Sequence, residues 1–216
     1  MDFSKIKDEG RYLEKALFIT VLMTAGMWLI WGCDVMFHLN LARYGLISRE
    51  VIGLRGILFS PYIHDDKGVA HILNNTPPFM ALFFLLLNGF RKIAGYVFIS
   101  IQLSAGIMLW LFGPGGTETV GMSGVIFGMA TFLIGSGIFR RNLISIVLAV
   151  MVIFYYGGML TYGALPNAEH PEISWQGHIC GGIAGLFVAF NFRNYDREPG
   201  ASIISSDDGH FFDRHP

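Results

Sequence analysis

Three short stretches of the chain set chemically capable side chains among apolar ones: His71-Ile72-Leu73-Asn74-Asn75, Gly121-Met122-Ser123-Gly124 and Gly177-His178-Ile179-Cys180-Gly181. A serine hydroxyl is a poor nucleophile until a base takes its proton, and Ser123 with His178 is the candidate nucleophile–base pair. Ser123 is expected in the first turn of a helix, after the flexible Phe112-Gly113-Pro114-Gly115-Gly116 stretch. There the unpaired N–H groups and positive dipole end of the helix would face a developing oxyanion. His71 and Asn75 stand one helical turn apart and can aim at the same spot as further donors. No carboxylate is placed to orient His178: Glu14 and Asp34 belong to the first apolar run, and Glu169 and Glu172 to a loop. A Ser–His dyad is therefore expected rather than a triad.

The elements that must carry these groups follow from composition. Of 216 residues, 53% are hydrophobic and only 14% charged, where soluble domains are about one-quarter charged. Mean hydropathy is +0.51, and the apolar residues fall in long blocks. This balance excludes a disordered chain, a nucleic-acid binder and an ordinary soluble enzyme; a net charge of -1 points to no ionic partner. Cys33 and Cys180 both sit in apolar runs, suggesting neither a disulfide framework nor a cysteine zinc site. Six runs approach the roughly 20 residues that cross a bilayer: Leu13–Phe37, Val69–Phe90, Ile93–Phe112, Gly121–Phe139, Leu143–Tyr162 and Gly177–Phe192. The last is the shortest, and Pro77-Pro78 interrupts the second. The expected fold is all-α, a polytopic six-helix membrane bundle over residues 13–192. A cytoplasmic segment, 1–12, precedes it, and a disordered cytoplasmic tail, 193–216, follows.

Loop charges orient the set. Arg91-Lys92 and Arg140-Arg141 separate spans two and three and spans four and five, whereas the loops after spans three and five carry Glu118 and Glu169 with Glu172. The excess of Lys and Arg on cytoplasmic loops places both termini in the cytoplasm, in a plasma membrane. The segment from His38 to Gly68 carries Arg43, Arg49, Arg55 and Lys67 yet falls outside by parity. Spans two, four and six then run inward. Ser123 lies 17 residues before Arg140, His178 15 before Arg193, and His71 and Asn75 20 and 16 before Arg91. At about 1.5 Å per residue all four reach within about 8 Å of the outer face.

Each feature has a plainer reading. Serine in a small-residue motif is commonly packing glue, and a membrane histidine near an interface is commonly a satisfied or snorkelling group. Coincidence in depth weighs against these, as do Gly124 with Gly128, and Gly177, Gly181 and Gly185, whose spacing lets helices approach closely. His64, His71, His170 and His178 offer a zinc reading, but HExxH and an intramembrane Asp pair are both missing. A transporter path would need polar residues deeper in the same spans; those halves read Phe-Phe-Leu-Leu-Leu (83–87) and Leu-Phe-Val-Ala-Phe (186–190).

Taken in order, these motifs resemble those of the rhomboid intramembrane serine proteases. Gly121-Met122-Ser123-Gly124 is similar to their GxSG, Gly177–Gly185 to their [AG]HxxGxxxG, and His71–Asn75 to the HxxxN of their second span; the likeness runs from about His64 to Phe192. It implies hydrolysis of peptide bonds in or beside the membrane segment of single-span substrates, with no cofactor and no metal. Ser123 would be the nucleophile and His178 the base; His71, Asn75 and the Ser123 N–H would form the oxyanion hole. It also implies entry of substrate from lipid beside the fifth span, near Phe154-Tyr155-Tyr156. A catalytically dead member that binds membrane segments is the alternative. The chain departs from the pattern in four places. Phe127 stands where a Tyr often stacks under the histidine, and Leu54-Arg55 replaces a Trp-Arg pair. The stretch from His64 to His71 is about two residues longer, and Pro77-Pro78 is unexpected.

Overall fold

Within hydrocarbon every backbone N–H and C=O must find its partner inside the protein, which leaves a long apolar run no state but helix or closed barrel. In a computed structural model of the protein, which describes residues 3–65, 68–166 and 174–195, the runs are helices. They are α1 (Phe3–Phe37), the single turn α2 (Gly56–Phe59), α3 (Ala70–Gly89), α4 (Ala94–Phe112), α5 (Ser123–Arg140), α6 (Leu143–Gly163) and α7 (Trp175–Asn191). Five of them, α1, α3, α4, α5 and α6, are long and apolar enough to cross a bilayer. The 17 residues of α7 give a helix about 25 Å long, at the short end for a span. The protein is a polytopic, all-helical membrane bundle. The tail from residue 196, together with Lys67, Glu169, His170 and Glu172, lies outside the described residues.

Two expectations are corrected. α1 starts at Phe3 and not at Leu13, because the helix continues out of the apolar run as a charged extension. Arg91, in the turn after α3, pairs there with Glu9 and lies 4.2 Å from the Tyr12 ring centre. The Pro77-Pro78 pair does not interrupt α3, which is continuous through both. The prolines remove the N–H partners of the Leu73 and Asn74 carbonyls only. In the turn just before them Thr76 ties α3 to α1, donating to the Ile72 carbonyl at 2.8 Å and accepting the Trp28 indole N–H at 3.0 Å.

α5 is the centre of the bundle, with ten of its eighteen residues buried, while α6 buries only Ser145, Ala149 and Val152 of its twenty-one. The α5–α7 seam is built from glycine. A Cβ on Gly181 would fall on the carbonyl of Gly124, and one on Gly185 on the carbonyl of Gly128. Backbone therefore lies on backbone, and Thr131 closes the seam by donating to the Gly182 carbonyl at 2.8 Å.

The segment from His38 to Asp65 is a structured cap. Its strand β1 (Leu46–Ile47) pairs antiparallel with β2 (Glu118–Thr119), Leu46 opposite Thr119 and Ile47 opposite Glu118. Gln102, 4% exposed within α4, receives the Tyr62 hydroxyl at 2.8 Å and donates to the Leu58 carbonyl at 3.0 Å. The cationic residues that looked out of place on this segment have local work. Arg49 donates to the Gly113 carbonyl at 2.7 Å, and Arg43 and Arg55 lie 5.0 and 4.6 Å from the Tyr44 ring centre.

Because the seam has no side chain to yield, Gly181→Ala is expected to destabilise the bundle by about 3 kcal/mol or more. Gly157→Ala, where a Cβ meets nothing within 4 Å, should leave the thermal midpoint in detergent unchanged.

Candidate active site

Ser123 is the first residue of α5, so its N–H is one of the four that helix geometry leaves unpaired. What sets it there is the turn before it. Gly121 has φ +110°, in the range that favours glycine, and its N–H donates to the Ser60 carbonyl at 2.9 Å. Met122, fully buried, then anchors the start of the helix to the core.

His178 stands in the first turn of α7. That turn is capped by Ser174, whose hydroxyl accepts the Gly177 N–H at 3.2 Å. The imidazole is 7% exposed and lies flat on Phe127, ring centres 4.2 Å apart and planes 6° from parallel. Its Nδ1 is 2.7 Å from the carbonyl oxygen of Gly163, at the end of α6. A carbonyl only accepts, so Nδ1 carries the hydrogen and Nε2 keeps its lone pair, the tautomer of a general base.

The seam brings these two residues to one place. A Cβ on Gly124 would stand 3.2 Å from the Gly177 carbonyl; Ser123 precedes the one glycine and His178 follows the other. They flank the close approach of two helices whose first turns lie side by side.

α3 supplies the remaining groups. A Cβ at Gly121 would stand 2.6 Å from His71 Nε2, so the ring lies against the turn that leads into Ser123. Its Nδ1 faces Asp65 Oδ2 at 2.8 Å. Asn75, 5% exposed, donates one Nδ2 hydrogen to the His71 carbonyl at 2.9 Å, and an amide NH2 has a second to offer. All four residues singled out by sequence thus lie in the first two turns of α3, α5 and α7, at one end of the bundle.

Two contributors were invisible in the sequence. The Gly163 carbonyl holds His178 Nδ1, and a backbone atom leaves no side-chain signal. Asp65 precedes α3, which begins at Ala70, so no helical spacing links it to His71; the acidic residue beside a histidine was its only mark.

Fold and site together define a polytopic helical membrane protein with His71, Asn75, Ser123 and His178 near one end of its bundle. The chain belongs to the rhomboid family: the model described as Rhomboid domain matches residues 53–195, more than half of it. It is similar to the uncharacterized protein Rv1337 of Mycobacterium tuberculosis, 34% identical over 180 residues that cover 79% of this chain and 73% of that protein. A second relative, the uncharacterized protein ML1171 of Mycobacterium leprae, is 33% identical over 180 residues, covering 80% of this chain and 70% of the relative.

One group beside the site is held at a cost. His64, on the cap outside the spans, is 1% exposed, and neither ring nitrogen has a hydrogen-bond partner among the described residues. Burial, and then the charge of His71 beside it, push its pKa down to about 4 from 6.5. The folded state thus prefers the neutral ring. This contribution to stability is complete above about pH 6.5 and is lost as pH falls toward about 4, amounting to about 3 kcal/mol. His64→Phe is expected to flatten that part of the curve when thermal midpoints in detergent are compared across the range.

Proposed function

We propose that the protein is an active intramembrane serine protease that hydrolyses peptide bonds in or next to the transmembrane segment of single-span membrane proteins. The observation that carries this reading is the state of His178. It is stacked on Phe127 with Nδ1 bound to the Gly163 carbonyl, which leaves Nε2 basic, on a helix whose first turn abuts that of Ser123.

In the reaction His178 Nε2 takes the Ser123 hydroxyl proton as Oγ attacks the scissile carbonyl carbon, forming a tetrahedral oxyanion. The N–H of Ser123, the Asn75 amide and His71 are the donors for that charge. Collapse expels the amine, protonated from His178, and leaves an acyl-serine. Water, deprotonated by the same nitrogen, then releases the acid and restores the hydroxyl. Every step is proton transfer or acyl transfer among these groups and needs no cofactor.

We further assign α7 as the sixth span, both termini to the cytoplasm and the site to the outer face of the cell membrane, in keeping with the loop charges. Substrate would enter between α3 and α6. Ala81, Phe84, Leu85, Met151, Val152, Tyr155 and Tyr156 line a groove there, and Phe154 and Tyr155 are exposed on α6.

Ser123→Ala and His178→Ala are each expected to lower cleavage of a single-span reporter by at least about a thousandfold without loss of expression. A fluorophosphonate should label the wild type and fail to label Ser123→Ala. Wild-type protein that neither cleaves nor labels would instead make this a rhomboid-like binder of membrane segments.

A further inference from the structure

An oxyanion needs N–H groups, and on the reading just given His71 is one of the donors only when its Nε2 bears a hydrogen. Its two contacts determine when that is so. Nδ1 faces the Asp65 carboxylate at 2.8 Å, and a carboxylate only accepts, so Nδ1 keeps its hydrogen in every state of the ring. Nε2, turned toward Gly121, therefore bears a hydrogen only in the imidazolium.

We propose that Asp65 is a positioning residue for the oxyanion site: its carboxylate grips His71 by Nδ1 and so aims Nε2 at the Gly121–Ser123 turn. This rests on the serine-protease reading above, yet it concerns a residue outside the three motifs. Asp65 lies in the stretch before α3 where the chain is longer than the family pattern.

The surroundings suit the role. The Asp65 carbonyl accepts the Trp31 indole N–H of α1 at 3.2 Å, which fixes the backbone that presents the carboxylate. Among the described residues, the titratable groups that face His71 are Asp65, His64 and, from α7, His178. His64 meets the His71 ring edge-on, centres 5.1 Å apart and planes at 67°. Buried and neutral, it bounds the ring without adding a second charge. The side chains of His71 and Asp65 are 31% and 33% exposed, so water reaches the pair and weakens it. The effect sought is accordingly smaller than the loss of a whole oxyanion donor, which costs about a hundredfold to a thousandfold.

The test is a double-mutant cycle on the purified full chain in detergent, with initial rates of reporter cleavage for wild type, Asp65→Ala, His71→Ala and the double variant. Asp65→Ala is expected to lower kcat by about tenfold to a hundredfold with KM unchanged, and the double variant to fall no further than His71→Ala alone. A residue that merely braced the cap would lower the rate in the His71→Ala background as well. Losses that multiply, or a change carried by KM, overturn the proposal. Fluorophosphonate labelling carried to completion reports that Ser123 and the fold are intact in each variant. Should Asp65→Ala not fold, Asp65→Ser serves for the same cycle. Wild type inert to the probe would overturn the protease reading and this inference with it, whereas labelled, active wild type with additive losses would overturn the role of Asp65 alone.

Discussion

Everything at the polar end of the bundle depends on the backbone contact between α5 and α7. Two helices with ordinary side chains between them lie 8–10 Å apart, too far for groups on their first turns to share a hydrogen. Gly124, Gly177 and Gly181 remove those side chains, and the carbonyls of one helix lie where a Cβ of the other would be. Close approach in lipid gains dispersion, not hydrophobic energy, since the tails are as apolar as the helices. The seam is therefore held by fit, with the Thr131 hydroxyl as a polar clasp to Gly182. Ser123 and His178 sit beside it in adjacent turns, where fraying would otherwise be greatest.

The motifs and the spans were legible because each has a local signature. Runs of apolar residues mark helices, and Ser123, His178, His71 and Asn75 stand out as polar groups in a setting that penalises them. Position within a helix was also readable, since all four were placed in one layer by counting back from Arg91, Arg140 and Arg193, and they do lie in the first two turns of their helices. What escaped was whatever depends on contacts between distant segments or on the backbone alone. Gln102, buried in the middle of α4, is a single amide in an apolar run, and only the folded cap shows that it joins Tyr62 to Leu58. The Pro77-Pro78 pair misled in the other direction. Proline costs a helix specific hydrogen bonds, not its path, and α3 runs on through both.

The cap also refines how charge is counted. The positive-inside tendency treats each arginine on a loop as free to interact with water and lipid headgroups. Here Arg49 is bound to a carbonyl of the next loop and Arg43 and Arg55 lie over one tyrosine ring. A guanidinium spent on holding a loop together is a poor witness to which side of the membrane that loop occupies.

The hydrogen bond from His178 to Gly163 joins the ring to the last residue of α6, which buries only three of its twenty-one residues. A carbonyl is a directional acceptor, and a displacement of one or two ångströms takes it out of range. The proton on the imidazole thus has a fixed address only while the tip of α6 stays against α7. Basicity at Nε2 is in this sense a property of how two helices are docked and not of a residue, and loosening α6 would silence the ring without touching it.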